Sequence, residues 1–478
     1  MRRRRLGGAV SRTAHRSGPP VSALVAVVGG LALAGVTWWG LFHFLGATAE
    51  TPNQLDLGKI SLAVTAGVFG AVALVVAYRR QRDAERGRFA EVFAAAARQL
   101  GDPDVAVRIA GVYAMAGVAD EFSARWRRQQ CVDVLCGYLR LPYQPEEGAS
   151  HLVSKSQRIE DHGTAVERVY TFRQNDRQVR DTIVRVIAER LRPAAETQWC
   201  DCDFDFSDAV FEDADFRHAV FAGRNTRFTN AVFLSGRTVT FEQARFVGER
   251  VTFRGAVFRS AAVFDRAVFA HTEAGGTDRD NVGATFTEAT FGAGVSFESA
   301  QFRGARTAFD RTTFAGERTG FANASFAAAL TTFERAVFDG RRVTFTGAEF
   351  TGARVTFADS RFYAESASFE CAHLGAQVRW RTGRTQEVSF ARTEYHGKVS
   401  FADAVFAGRS VTFVGGDFFG DISFRRAAFD ARAITFERPK AWVGVQFDWD
   451  ASPATKPANI TPTAWPPTLA ESTPELTS

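Results

Sequence analysis

The chain has 478 residues but only 2 Met, 7 Tyr and 5 Cys. The cysteines (Cys131, Cys136, Cys200, Cys202 and Cys371) are odd in number and scattered, which excludes a disulfide framework. No C-x-x-C pair occurs. Cys200 and Cys202 stand closer than zinc ligands are spaced and have no second pair, so no metal is expected. The 8 His are dispersed, without an H-x-x-x-H pair. Absent too are a G-x-S-x-G elbow, a G-x-x-x-x-G-K-S/T phosphate loop and a dinucleotide fingerprint after a strand. No catalytic constellation and no cofactor cradle can be assembled from what remains. The expectation is a protein that is not an enzyme. Cys131 and Cys136 lie on an apolar helical face, and reduced, buried thiols suit a cytoplasmic location.

A charge of one sign is also missing from most of the chain. Net charge is +5, yet residues 204–436 hold 28 Arg and Lys against 27 Asp and Glu. The basic excess sits near the N-terminus, so the long C-terminal part lacks the footprint of a nucleic-acid binder. Carboxylates such as Asp213, Glu242, Asp310, Glu349 and Asp403 alternate with Arg at similar positions, which is the pattern of a solvated face.

Two long uncharged runs are present. Residues 1–20 are basic, with four consecutive arginines after Met1, and would lie in the cytoplasm. An uncharged run follows at about 21–45, then a short connector with Glu50 and Asp56, then a second run at 60–78 that ends in Arg79, Arg80 and Arg82. Each run is long enough to span a hydrocarbon core of about 30 Å. Positive charge on both outer flanks predicts a transmembrane hairpin over 21–80 with both termini in the cytoplasm of a bacterium, anchored in its inner membrane. A cleavable signal peptide is the alternative for the first run, since Ala47-Thr48-Ala49 resembles a cleavage site. Small residues four apart (Gly30 and Ala34, Ala66 and Gly70) would allow close helix packing or a homodimer.

Residues 82–193 read as a small all-α cytoplasmic region. Gly101, Asp102 and Pro103 suggest a helix stop, a cap and a first turn. Val105, Ile109, Val112 and Ala116 then recur at helical spacing, as do Cys131, Leu135 and Tyr138, and Val179, Ile183, Val186 and Ile187. Trp126 and Tyr138 are expected in the core. Residues 142–176 read as a polar linker, a loop or hinge.

The commonest aromatic is Phe, with 45 copies, and its placement is regular. Phe309, Phe321, Phe333, Phe345, Phe357 and Phe369 recur at every twelfth position. Phe314, Phe326, Phe338, Phe350, Phe362 and Leu374 follow each of them at the fifth position. Alternate steps of five and seven fit neither an amphipathic helix nor an alternating strand. They fit a solenoid in which equivalent rings stack coil upon coil. Two residues before the second aromatic stands a small residue (Ala324, Ala336, Ala348); two before the first, a β-branched one (Val343, Val355). In extended chain both face inward. Gly248, Gly316, Gly340, Gly352 and Gly408 fall two residues past the second aromatic, where a corner would need unusual dihedrals.

The repeat opens in strict fives: Phe206, Phe211, Phe216 and Phe221, with Ala209, Ala214 and Ala219 between them. Ser207–Phe211, Glu212–Phe216 and Arg217–Phe221 resemble the pentapeptide-repeat family, whose unit carries a small residue two before a central Leu or Phe. The resemblance covers about half the chain, residues 204–436. It implies a right-handed quadrilateral β-helix with the aromatics inside. If two of the longer units make a turn, each coil holds some two dozen residues. Residues 437–450, with Trp442, Val443, Val445, Phe447 and Trp449, would cap its C-terminal end, and the helices its N-terminal end. Residues 451–478, rich in Pro, Thr and Ser, read as a disordered tail.

The expected fold is therefore mixed: a two-helix transmembrane hairpin, a small helical region and a β-solenoid. The expected role is a non-enzymatic scaffold that presents a rigid rod to an unidentified cytoplasmic protein partner. Some pentapeptide-repeat proteins inhibit a DNA topoisomerase by mimicking duplex DNA, and that resemblance supplies one alternative; a nucleic-acid-binding arginine surface supplies another. Duplex DNA carries a charge about every 1.7 Å, which a near-neutral rod does not match.

Overall fold

The structure is a computed structural model that describes residues 54–122, 124–145, 154–161, 164–171, 175–234, 236, 239–270, 283–375 and 386–470, with isolated positions between 32 and 43. The chain divides into two compact units, Met1–Glu91 and Val92–Ser478.

Helix α1 (Gln54–Leu100, 47 residues) contains the whole uncharged run 60–78. Within that run the described side chains are exposed, with Val72, Leu74, Val75, Val76 and Tyr78 all at 44% or more, whereas Phe89, Ala96 and Leu100 near the helix end are buried. Among the described residues no helix is long and apolar enough to cross a membrane. The first expected span at 21–45 and the basic stretch at 1–20 lie outside the described residues, as do several side chains of the second run.

In the second unit, α2 (Val105–Glu121), α3 (Arg125–Leu139) and α4 (Asp176–Leu191) bury most of the faces that the helical spacing picks out, with Val105 and Ile109 of α2 only half-buried. Val112, Ala116, Cys131, Leu135, Val179, Ile183, Val186 and Ile187 are all fully buried. The start of α2 differs from expectation. Asp104, not Asp102, is its cap, and the Asp104 carboxylate accepts from Ala106 N at 2.7 Å. Asp102 instead accepts from Asp104 N at 2.8 Å and shapes the turn before the helix. Trp126 is 56% exposed, against the core position expected of it. Tyr138 is buried and donates to Asp176 at 2.6 Å.

The expected linker at 142–176 carries structure, so the region is not all-α. Strands β1 (Ser154–Asp161) and β2 (Thr164–Thr171) pair antiparallel in full register, from Ser154 opposite Thr171 to Asp161 opposite Thr164. Thr164, Val166, Val169, Tyr170 and Thr171 are of the types that favour strands, and the charges interspersed among them give the stretch its linker-like composition.

From Phe204 onward the chain is a parallel β-solenoid of about ten turns, with four faces of eleven, ten, nine and nine strands among the described residues. One coil is legible in residues 306–326: Arg306–Ala308 on the first face, Thr313–Phe314 on the second, Arg318–Gly320 on the third and Ser325–Phe326 on the fourth. Arg306 pairs with Leu330, and Leu330 with Arg354, so each coil advances the chain by two repeat units. The expected pairing of units into turns is the observed one. The next partner of Arg354 is Glu387, and this longer step takes up the break in the repeat that follows Leu374.

The twelve ladder residues from Phe309 to Leu374 are all fully buried. Rings one coil apart stack in parallel: Phe309 on Phe333 at 4.8 Å and 4°, Phe314 on Phe338 at 4.9 Å and 4°. Rings one unit apart meet edge to face, as in Phe309 and Phe321 at 5.6 Å and 86°. The interior is therefore four columns, with perpendicular contacts between successive units, which aromatic rings favour, and tilted ones within a unit, as between Phe309 and Phe314 at 41°.

The corners use two devices. Two residues after each aromatic of the first kind, from Phe206 to Phe436, φ is between 48° and 66°. In the turn that begins at Phe321, Asn323 has φ 54° and Ala324 N donates to Phe321 O at 3.1 Å. A positive φ at the third position marks a type II turn. Most of these residues are not glycine; Arg335, Glu288 and Asp403 are examples. The glycines after the second aromatic have another purpose. A Cβ on Gly340 would lie 2.1 Å from Gly316 O, and one on Gly352 2.0 Å from Ala328 O. At Gly248, Gly316, Gly340 and Gly352 close approach of successive coils, not a special dihedral, excludes a side chain; at Gly408 the nearest atom would be 3.1 Å away and the φ of 101° is the stronger reason.

The Thr or Ser before the first aromatic has a local reason as well. Its hydroxyl accepts the backbone N–H on the far side of the ring, as Thr356 does from Ala358 N at 3.2 Å and Ser368 from Glu370 N at 3.2 Å.

Candidate interaction surfaces

Both ends of the solenoid are closed. At the N-terminal end Gln129 of α3 donates to Asp203 O and accepts from Asp203 N, each at 2.8 Å, extending the backbone pairing of the first coil. Trp199 is fully buried, and its indole N–H donates to Asp120 at 2.8 Å; Arg190 of α4 grips the same carboxylate at 2.7 Å. Arg180, 4% exposed, pairs with Asp176 at 2.8 Å and donates to Leu139 O and Leu141 O. The buried charge is thereby fully engaged, as burial demands.

At the C-terminal end the cap is longer than expected. Residues 451–470 fold onto the last coil, which corrects the reading of this stretch as disordered. Ile460–Thr461 adds a strand to the first face. Asn459 Nδ2 donates to Phe429 O at 2.8 Å and Ala431 O at 2.7 Å, covering carbonyls on the fourth face. Trp465 packs on Phe447 at 5.1 Å and on Trp442 at 5.5 Å. Proline and polar composition concealed this because a single strand and one Trp are enough to cover an edge.

The ladder residues are thus structural, and function must lie on the exterior. Several exterior carboxylates are tied to arginines on neighbouring coils. Asp359 is held by Arg392 at 2.6 Å, Asp403 by Arg426 at 2.7 Å and Glu288 by Arg311 at 2.6 Å. Hydrogen bonds from those guanidiniums hold all three carboxyls below their ordinary pKa. Such exposed pairs add little stability. They do leave the surface electrically mixed.

Two places stand out. The first is a groove of about 560 Å³ between α4 and the first coil, lined by Asp181, Arg185, Glu189, Arg192, Asp213 and Asp215 among others. Burial raises the Asp181 pKa, and the Arg217 hydrogen bond lowers that of Asp215. The lining is dominated by carboxylates and guanidiniums, with Gln178 and Thr182 among them, a set suited to recognising charged groups.

The second is an apolar ridge on the second face. Tyr363, His396, Phe419 and Val443 each follow an inward residue of the column Phe362, Tyr395, Phe418 and Trp442, so they occupy one exterior row on successive coils. Tyr363 is 42%, Phe419 51% and Val443 57% exposed. Tyr363 lies 4.7 Å from the His396 ring, which stacks on Phe419 at 5.2 Å and 21°. Glu394 receives the Tyr363 hydroxyl at 3.2 Å and Arg361 at 3.4 Å. Sequence reasoning missed the ridge because its members sit on separate coils, unevenly spaced along the chain, and differ in type; only the register aligns them.

The five thiols are free. Cys131, Cys136 and Cys202 are buried and Cys371 is exposed. Burial pushes Cys131 and Cys202 up to about 12, and Cys136 also upward, so none of the three is a thiolate at neutral pH. Among the described residues no group of three or more His, Cys, Asp or Glu is placed to hold a metal ion. In comparisons with known proteins the chain matches no family model, no curated protein and no solved structure.

Proposed function

We propose that this protein is a non-enzymatic scaffold of the pentapeptide-repeat type, anchored in the cytoplasmic membrane of a bacterium, that offers its solenoid to a protein partner. The observation that carries this reading is the ridge of Tyr363, His396, Phe419 and Val443. The solenoid core is already complete without these side chains, so their exposure has no folding benefit, whereas an apolar row is what a protein partner would cover. The exposed apolar stretch of α1 supports the membrane anchor, because water is a poor solvent for Val72, Leu74, Val75 and Val76 together. A homodimer through the small residues of that run, Ala66 and Gly70, is part of the same proposal.

DNA mimicry is the less favoured reading. The cross-coil pairing of carboxylates with arginines neutralises the charge that a mimic of phosphate needs. The test is a comparison of partners co-purified from solubilised membranes with the full chain and with its Tyr363→Ser/Phe419→Ser variant. A partner lost from the variant supports the scaffold, and identical profiles for the two proteins and a tag-only control sink it.

A further inference from the structure

We infer that the segment of α1 just beyond its apolar run is a binding collar for the phosphate groups of anionic phospholipids. The inference rests on the membrane anchor proposed above and adds lipid selectivity to it. Residues 79–88 hold Arg79, Arg80, Arg82, Arg86 and Arg88 against Asp83 and Glu85. The whole segment is exposed helix. Both carboxylates are engaged within the helix itself: Asp83 lies 3.6 Å from Arg86, and Glu85 accepts from Gln81 at 3.3 Å. The segment therefore keeps a positive excess.

Helical geometry concentrates that excess. At about 100° per residue Arg79, Arg82 and Arg86 fall on one stripe of α1, while Arg80 projects from a neighbouring face at the same level as Arg79. The stripe starts immediately after Tyr78, where the exposed apolar stretch ends. If that stretch sits in hydrocarbon, Arg79, Arg80 and Arg82 lie at the level of the lipid phosphates. Guanidinium forks match phosphate oxygens in bidentate geometry, and juxtamembrane basic residues are drawn to an anionic surface. All the basic residues here are arginines. A lysine collar would attract the same surface as point charges without the fork.

The experiment uses the full-length protein reconstituted into phosphatidylcholine vesicles that contain either spin-labelled phosphatidylglycerol or spin-labelled phosphatidylcholine. Lipid at the protein boundary gives a motionally restricted spectrum, and the ratio of the two restricted fractions measures selectivity. The expected ratio is severalfold in favour of phosphatidylglycerol at low salt. It should fall close to one in the variant Arg79→Gln/Arg80→Gln/Arg82→Gln/Arg86→Gln, and also in the unmutated protein at high salt. A ratio of one in the unmutated protein, or a high ratio that the variant retains, overturns the collar while leaving the anchor intact. Absence of any restricted component with either lipid overturns the anchor itself. Because the four arginines are exposed on a helix and glutamine is a good helix former, circular dichroism of the variant should match the parent.

Discussion

Phe333 and Phe357 occupy equivalent positions on successive coils, and their rings lie 4.6 Å apart with 1° between their planes. The same Phe333 meets Phe321 and Phe345 edge-on at 5.8 Å, at 90° and 86°. Each ring in the middle of the rod is thus packed above, below and on its flanks by other rings, with no solvent contact.

Truncating such a ring leaves a cavity that rigid neighbours cannot fill. Phe333→Ala is expected to cost about 3–5 kcal/mol, read as a lower midpoint in urea unfolding of the full chain. A loss below about 1 kcal/mol would mean that the column collapses and is not tightly packed.

Close approach of coils gives a paired test. A Cβ on Gly340 would stand 2.1 Å from Gly316 O, whereas one on Gly320 has nothing nearer than 3.5 Å. Gly340→Ala should destabilise by about 1–3 kcal/mol through overpacking. Gly320→Ala should be neutral or slightly stabilising, because alanine restricts the unfolded chain. Equal effects in the two variants would remove the close-approach account of the corner glycines.

Tyr395 replaces Phe in the column between Phe362 and Phe418, and it is fully buried. Among the described residues its hydroxyl has no partner in good hydrogen-bond geometry, and Thr393, whose own hydroxyl donates to Phe357 O at 2.9 Å, makes only a weak contact with it. Burial raises the Tyr395 pKa well above the ordinary tyrosine value, while Thr393 beside it acts in the opposite direction. The folded state therefore keeps the phenol protonated, and the unfolded chain releases its proton near pH ~10. Below that pH the contribution is constant; above it, stability falls as pH rises. Tyr395→Phe should gain about 1 kcal/mol at neutral pH, where an unpaired polar atom is removed, and more above pH ~10. Thermal melts of both proteins across that range would show the gap widening. A variant less stable than the parent at neutral pH would show that the hydroxyl is satisfied.

The β1–β2 hairpin pairs within itself, and a lone two-stranded hairpin is marginal in water. Lys155, Arg158 and Arg168 are therefore expected to be among the first trypsin sites, ahead of the many arginines on the solenoid. Mass spectrometry of early digests should find cuts there. First cuts within residues 306–326 would contradict the rigidity assigned to the rod.

How much of this was legible in the sequence depends on which contact carries each feature. The ladder from Phe309 to Leu374 was legible because a buried column tolerates one residue type at a fixed interval. The coil of two units followed from it. The turn position two after each first aromatic was not legible, since its identity runs through Arg335, Glu288, Asp403 and Cys371. The corner glycines were visible, but their reason lay in the coil below. The ridge at Tyr363, His396 and Phe419 became apparent only through the register, and Asn459 and Trp465 only through the edge that they cover.

The scaffold proposed above, held at a membrane, would meet its protein partner through this ridge. Its most direct test is photocrosslinking in intact bacterial cells, with a benzophenone side chain placed at Phe419 and, as a control, at Arg318 on the third face. A discrete adduct is expected from Phe419 in the membrane fraction, none from Arg318, and loss of the adduct when Tyr363→Ser is added. No adduct at Phe419, or equal adducts at both positions, would contradict it.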